Sequence, residues 1–168
     1  MAHTPWKQET QRLIITEYAP SMAHSTHLLS LDADNRRFVP DEVFESDEAA
    51  AEIIATINEW YEGDYEPLVY PLLLKQDDTH IGHIQVAPIG EGEWEIGYHI
   101  GEDFTGHGYA TEAARAFIPA IFAHLGVDRL YGICLADNHA SQRILEKCGF
   151  SLQYKGLGPY HAEQQPLC

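Results

Sequence analysis

The hydrophobic period of this chain changes from two to 3.6 across one glycine-bearing turn, and that change restricts its possible folds more than any other feature. Upstream of the turn, Leu68 to Lys75, Thr79 to Pro88 and Glu93 to Ile100 read as extended segments. They are separated by the turn-forming stretches Gln76-Asp77-Asp78 and Gly90-Glu91-Gly92, which predicts an antiparallel meander. Downstream, Ala110, Ala113, Ala114, Phe117, Ile118, Ile121 and Leu125 form the apolar stripe of a helix that ends at Gly126. Pro119 falls inside that stripe, where its missing N–H should remove a backbone bond and kink the helix.

The remaining elements alternate around this switch. Arg12 to Glu17 reads as a first strand and Pro20 to Leu31 as a short helix. A longer helix starts at Ser46, a suitable N-cap with Asp47 and Glu48 in the first turn, and its apolar residues recur at helical spacing up to Gly63. Arg129 to Ala136 reads as a buried strand, Asn138 to Lys147 as a helix closed by Cys148-Gly149, and Phe150 to Lys155 as a last strand. The predicted order is β-α-α-β-β-β-α-β-α-β. No internal repeat, low-complexity tract or linker divides the 168 residues, so residues 1–168 read as a single domain in which 1–9 form a flexible extension.

Composition narrows the function. No stretch approaches the roughly 18 uninterrupted apolar residues of a membrane span, which excludes a membrane partner. The start of the chain lacks the apolar core of a secretion signal, and Cys134, Cys148 and Cys168 have no metal-type spacing. The expected location is cytoplasmic. Residues 1–104 hold 21 acids and 5 bases and residues 105–168 hold 5 of each, so the net charge of −16 arises entirely in the first part (5 − 21 = −16). Such a balance opposes a nucleic-acid partner. It reads either as a solvated acidic surface, or as a division in which the second part tolerates an anionic ligand and the first attracts a cationic one.

The segment Ile100-Gly-Glu-Asp-Phe-Thr-Gly-His-Gly-Tyr-Ala-Thr-Glu carries the strand into the helix through an anion site. The first N–H groups of a helix have no intrahelical partner, its dipole is positive there, and Gly106 and Gly108 let backbone curl around phosphate oxygens. A P-loop is excluded because Tyr109-Ala110 follows Gly108 in place of Lys-Ser/Thr. A Rossmann fingerprint is excluded because the acid at the right spacing, Asp128, precedes the next strand, and because an antiparallel meander lies upstream.

Glu95-Ile-Gly-Tyr-His-Ile100 followed by Thr105-Gly-His-Gly-Tyr-Ala-Thr-Glu resembles the acetyl-CoA signature of the GNAT superfamily of N-acetyltransferases. Asn138-His-Ala-Ser-Gln-Arg-Ile-Leu-Glu-Lys-Cys-Gly-Phe150 resembles its second signature, in the subgroup similar to the ribosomal-protein alanine N-acetyltransferases. The resemblance covers Arg12 to about Tyr154. It implies an α/β (α+β) fold with a central, mostly antiparallel mixed sheet of six to seven strands flanked by about four helices. It also implies acetyl-CoA as co-substrate, held by His99, Ile100, Thr105, Gly106, His107, Gly108, Tyr109, Ala110, Asn138 and Ser141, and a primary amine as acceptor: a protein N-terminus, a polyamine or another cationic small amine. Homodimers are common in that subgroup. Three departures stand out: Thr105 where the family usually has Gln or Arg, Leu145 where many members have a tyrosine general acid, and a tail after Lys155 that leaves the family's last strand in question.

Acyl transfer from a thioester to an amine needs a base, a stabilised oxyanion and a proton for the thiolate. Glu95 is the first candidate base, with His99 in reserve on the same strand face; a solvated strand carboxylate is the alternative for Glu95. Backbone N–H groups around His99 and Ile100 are implied for the oxyanion, and Ser141 for the thiolate, although Asn138 and Ser141 are equally the residues expected of a helix start. No metal is expected: His80 and His83 should point to opposite faces of a strand, and His24 with His27 has no third ligand nearby in sequence. Cys134 reads as a core residue, and Trp60, Tyr61, Tyr65 and Tyr70 as core or pocket wall. Two other functions stay open: a GNAT-like module that senses acyl-CoA without turnover, and a purely structural acidic partner.

Overall fold

Six strands in sequential order make one sheet: β1 (Lys7–Glu9), β2 (Leu13–Thr16), β3 (Leu68–Leu74), β4 (His80–Gly90), β5 (Glu93–Ile100) and β6 (Tyr131–Gly132). This computed structural model describes residues 3–160 and 163–167, with those from 157 onward described by backbone alone; Met1, Ala2 and Cys168 lie outside the described residues. Neighbouring strands are antiparallel except β5 and β6, which run parallel and are joined through α4 (Tyr109–Leu125). Between β2 and β3 lie α1 (Ala23–Ser30), α2 (Ala33–Phe38) and α3 (Asp47–Trp60), and α5 (His139–Lys147) follows β6. The fold is the mostly antiparallel mixed sheet with flanking helices that the sequence predicts.

The reasons are local. β3, Leu-Val-Tyr-Pro-Leu-Leu-Leu, is buried at every position, as a continuous apolar run requires when helices cover both faces of a sheet. Phe117 of α4 meets Tyr70 of β3 on one face, with ring centroids 5.8 Å apart, while Ile53, Ile57 and Trp60 of α3 lie over Val69 on the other. Ser46 Oγ accepts a hydrogen bond from the Ala49 N–H at 3.0 Å and caps α3. Gly126, at φ 68°, closes α4 in the left-handed conformation that glycine adopts without strain.

Several expectations are corrected. Residues 7–9, read as part of an extension, form an edge strand, and Trp6 stacks on Tyr70 at 5.1 Å and meets Phe117 edge-on at 5.7 Å. α4 runs without interruption through Pro119; the Gln8 side-chain amide donates to the Ala116 carbonyl at 2.7 Å in the turn that the proline disturbs. Of the strand read over 129–136 only Tyr131 and Gly132 form a strand, with Leu135 in an isolated bridge, and α2 was not anticipated. Phe150 to Lys155 is not a strand. The chain closes instead with a separate antiparallel pair, β7 (Gly156–Tyr160) and β8 (Glu163–Leu167).

Phe117 is fully buried among Trp6, Tyr70 and the apolar face of α4. Phe117→Ala is therefore expected to destabilise the protein by about 3–5 kcal/mol. Urea unfolding checks this as a lowered midpoint at an unchanged m-value.

Candidate active site

β6 pairs with β5 only at Glu95 and Ile96, so from Gly97 to Ile100 the outer edge of β5 has no strand beside it among the described residues. The Gly101 N–H donates to the Ile81 carbonyl of β4 at 2.8 Å. Because backbone groups alternate sides along an extended strand, the His99 N–H also faces β4, whereas the N–H groups of Tyr98 and Ile100 face the open edge. The wedge between the diverging strands is a cleft of 520 Å³ whose lining includes Glu95, Ile100, Gly106, Ala110, Cys134 and Ser141.

The mouth of the cleft is the predicted anion site. Gly106 (φ 80°) and Gly108 (φ 79°) both take the left-handed conformation, and nothing lies within 4 Å of the position a Cβ at Gly106 would occupy. The α4 ladder begins with the Glu112 N–H on the Gly108 carbonyl at 3.0 Å, so the N–H groups of Tyr109, Ala110 and Thr111 point out of the helix end. A phosphate group fits this cradle. Thr105 Oγ1 donates back to the Glu102 carbonyl at 2.9 Å, and His107 is exposed beside Tyr109 and outside the cleft lining. Neither side chain is directed into the cradle.

The sequence reading missed the basic side chains here. Arg12, Arg115, Arg143 and Lys147 line the mouth and its rim, four of the ten Lys and Arg residues in the chain. Arg12 lies 4.5 Å over the Tyr109 ring and pairs with Glu112 at 2.7 Å. Burial raises the Glu112 pKa, but hydrogen bonds from Thr10 and from the backbone and guanidinium of Arg12 outweigh it and hold the carboxyl below the usual range. Spacing by four on α5 was the available signal for Arg143 and Lys147. Arg12 and Arg115 reach the rim through tertiary packing and gave none.

At the other end of the cleft, the side chains divide by face. Tyr98 crosses to α5, its hydroxyl 3.0 Å from the Ser141 carbonyl oxygen and 3.1 Å from Ser141 Oγ. Asn138 Oδ1 accepts from the Ser141 N–H at 3.2 Å, so Asn138 caps α5 while lining the cleft. Leu145, at the family's tyrosine position, packs onto Gly132. On the opposite face, Glu95, His83, Gln85, Ala87 and His99 line the cleft, and the last four of these also line a second cavity of 290 Å³. That cavity is walled by Phe44, Ile57 and Trp60 and carries Asp41 and Glu42. His99 Nε2 is held there 3.2 Å from the Leu29 carbonyl and 3.4 Å from Asp32.

His80 and His83 face the same cavity, contrary to strand alternation, because the β3–β4 register shifts at Leu72/Leu73 and inserts Ile81 as a bulge residue. Burial pushes His80 down to about 4 and His83 down to about 3, the latter helped by His99 and His80. His80 Nε2 lies 3.0 Å from the Gly82 carbonyl and must donate to it, which leaves Nδ1 to accept from the Ser25 hydroxyl at 2.7 Å. Both rings are neutral at neutral pH.

Comparison with known proteins agrees with this geometry. The acetyltransferase (GNAT) domain family model matches residues 12–151. The chain is 28% identical over 141 residues to the uncharacterized N-acetyltransferase YnaD of Bacillus subtilis, covering 83% of this chain and 79% of that protein. Among solved structures, a GNAT-family acetyltransferase from Bacillus anthracis aligns with a TM-score of 0.80 at 22% identity, covering 96% of this chain and 95% of that one. The microcin C7 self-immunity acetyltransferase MccE, solved with acetyl-CoA and AMP, aligns with a TM-score of 0.81 at 18% identity over 94% and 90% of the two chains. RimL, the ribosomal L7/L12 alpha-N-protein acetyltransferase solved with coenzyme A, aligns with a TM-score of 0.80 at 19% identity over 94% and 92%.

The chain therefore belongs to the GNAT acetyltransferase family. It is an acetyl-CoA-dependent acyltransferase, and RimL and other ribosomal-protein acetyltransferases are among its structural neighbours. Among the described residues no helix is long and apolar enough to cross a membrane.

The two depressed histidines make stability depend on pH. Each binds a proton more readily in the unfolded chain, so stability is fully present above the ordinary histidine value of about 6.5 and is lost as pH falls below it, by up to about 1.4 kcal/mol per pH unit for each ring. His83→Gln should make this acid limb shallower, read as the slope of unfolding free energy against pH in urea titrations.

Proposed function

We propose that the protein transfers the acetyl group of acetyl-CoA to a primary amine carried by a cationic acceptor, by direct attack in a ternary complex. The supporting observation is that a cleft ending in an anion cradle and lined by Glu95 meets a second, acid-bearing cavity at His83, Gln85 and His99. Gly106, Gly108 and the first N–H groups of α4 take the pyrophosphate, with Thr105, His107, Tyr109 and Ala110 contributing backbone. The edge of β5 that faces the cleft takes the pantetheine arm, and the backbone N–H groups around His99 and Ile100 serve the developing oxyanion.

The acceptor enters from the cavity of Asp41 and Glu42. An alkyl ammonium, with a pKa near about 10.4, must lose a proton before attack, and Glu95 receives it directly or through water. The C–N bond then forms as the C–S bond breaks, and the proton that the attacking nitrogen sheds reaches the departing thiolate through the Ser141 hydroxyl, which gives one proton and takes back another while Tyr98 and the Asn138 cap hold it in place. This pair stands in for the tyrosine that Leu145 replaces. That same replacement favours the second reading, an acyl-CoA sensor with weak turnover.

Titration calorimetry with acetyl-CoA, with NADH as control, should give micromolar binding of acetyl-CoA alone, about −8 kcal/mol. Glu95→Gln should lower kcat for cationic amines about a hundredfold, measured as thiol release, with acetyl-CoA affinity unchanged. Absence of acetyl-CoA binding overturns the cofactor assignment; binding without turnover of any amine supports the sensor.

A further inference from the structure

The sequence offers His24 and His27 no third ligand, but the fold supplies one. The two histidines lie three residues apart on α1, and Asp47, the first residue of α3, stands between them. His24 Nδ1 lies 3.0 Å from each Asp47 carboxylate oxygen, and His27 Nδ1 lies 2.7 Å from Oδ1. One ligand atom from each side chain falls within 4.8 Å of the others. A tetrahedral ion with bonds of about 2 Å needs its ligands roughly 3.3 Å apart, a closure that side-chain rotation alone can make.

Charge favours a cation here. Asp47 brings a carboxylate to the cluster, and both imidazoles face it. The only ion-pair partners of Asp47 among the described residues are these two rings, with no Lys or Arg to compensate it. The chain as a whole carries −16. The His24 side chain is 69% exposed and that of Asp47 49%, which gives an ion direct access and leaves room for water as a further ligand.

We propose that His24, His27 and Asp47 form a site for a divalent transition ion of the zinc and nickel class. Two imidazole nitrogens with one carboxylate suit those borderline ions; magnesium and calcium prefer oxygen ligands. The bound ion bridges α1 to the start of α3. Thr26 and Leu29 of α1 and Ile53 and Ile57 of α3 all line the 290 Å³ cavity, so occupancy ties two of its walls together. The site does not depend on the identity of the acceptor or on turnover.

Titration calorimetry of the full chain with ZnCl2 at neutral pH tests this, with MgCl2 as control. One zinc per chain is expected, with no heat from magnesium. Removing an outer partner of a metal site already weakens binding by roughly tenfold, so His24→Ala, His27→Ala and Asp47→Asn should each cost at least that. His139→Ala, exposed and remote, should cost nothing. A zinc-dependent rise in Tm should be present in the wild type and absent from the three variants. Absence of zinc binding up to about 1 mM overturns the proposal, as does undiminished binding in both His24→Ala and His27→Ala. Because the readout is metal affinity, failure of this site and failure of acetyl transfer are distinguishable.

Discussion

The two-residue pairing between β5 and β6 is the constraint on which the site depends. Parallel strands joined through a helix normally run side by side for their length, and here contact stops after Glu95 and Ile96. Beyond that point β5 pairs with β4 on one side and faces the cleft on the other. Open strand edges are templates for pairing with further extended chain. In this fold the edge lies inside a cleft.

One strand serves two chemistries through alternation. Tyr98 and the residues of its face look toward α5, where Ser141 is held by its own helix cap and by the tyrosine hydroxyl. Glu95 and His99 line the cleft on the other face, and His99 also lines the second cavity. Gly97 between them has the Gln85 amide 3.1 Å from where a Cβ would stand, so a side chain there would press on the neighbouring strand at the junction of the two cavities. A one-residue slip of β5 would exchange the two faces. The register of eight partners with β4 therefore specifies the active site as well as the sheet.

What the sequence made legible is what local periodicity encodes. β5, α4 with its glycine entrance, and the caps at Ser46 and Asn138 follow from spacing and from unpaired helix-end groups. The misread features are those that register and tertiary packing decide. A bulge at Ile81 turned His80 and His83 onto one face, defeating strict alternation. Strand β6 reads as eight residues by composition and pairs at two, because apolar residues report burial but not a partner strand. Asp47 is 20 residues from His27, and nothing local relates them until α1 packs on α3. The alternation of Phe150, Leu152 and Tyr154 with polar residues reads as a strand, but no strand forms there and Leu152 and Tyr154 are exposed.

The charge distribution takes its meaning from the same fold. By sequence, the first 104 residues hold the whole excess of acid and the rest is neutral, which suggests two halves with different partners. In space the division is sharper. Arg12 comes from the acidic part and joins Arg115, Arg143 and Lys147 at the rim of the anion cradle, while Asp41 lies in the cavity on the other side of β5 and Glu42 lines both that cavity and the cleft. Fields of opposite sign thus stand at the two entrances to one cleft. A basic rim of this kind favours an anionic ligand at that mouth. The position of Arg12 beside Gly108, fixed by Glu112 and stacked on Tyr109, makes that separation possible in a chain of net charge −16.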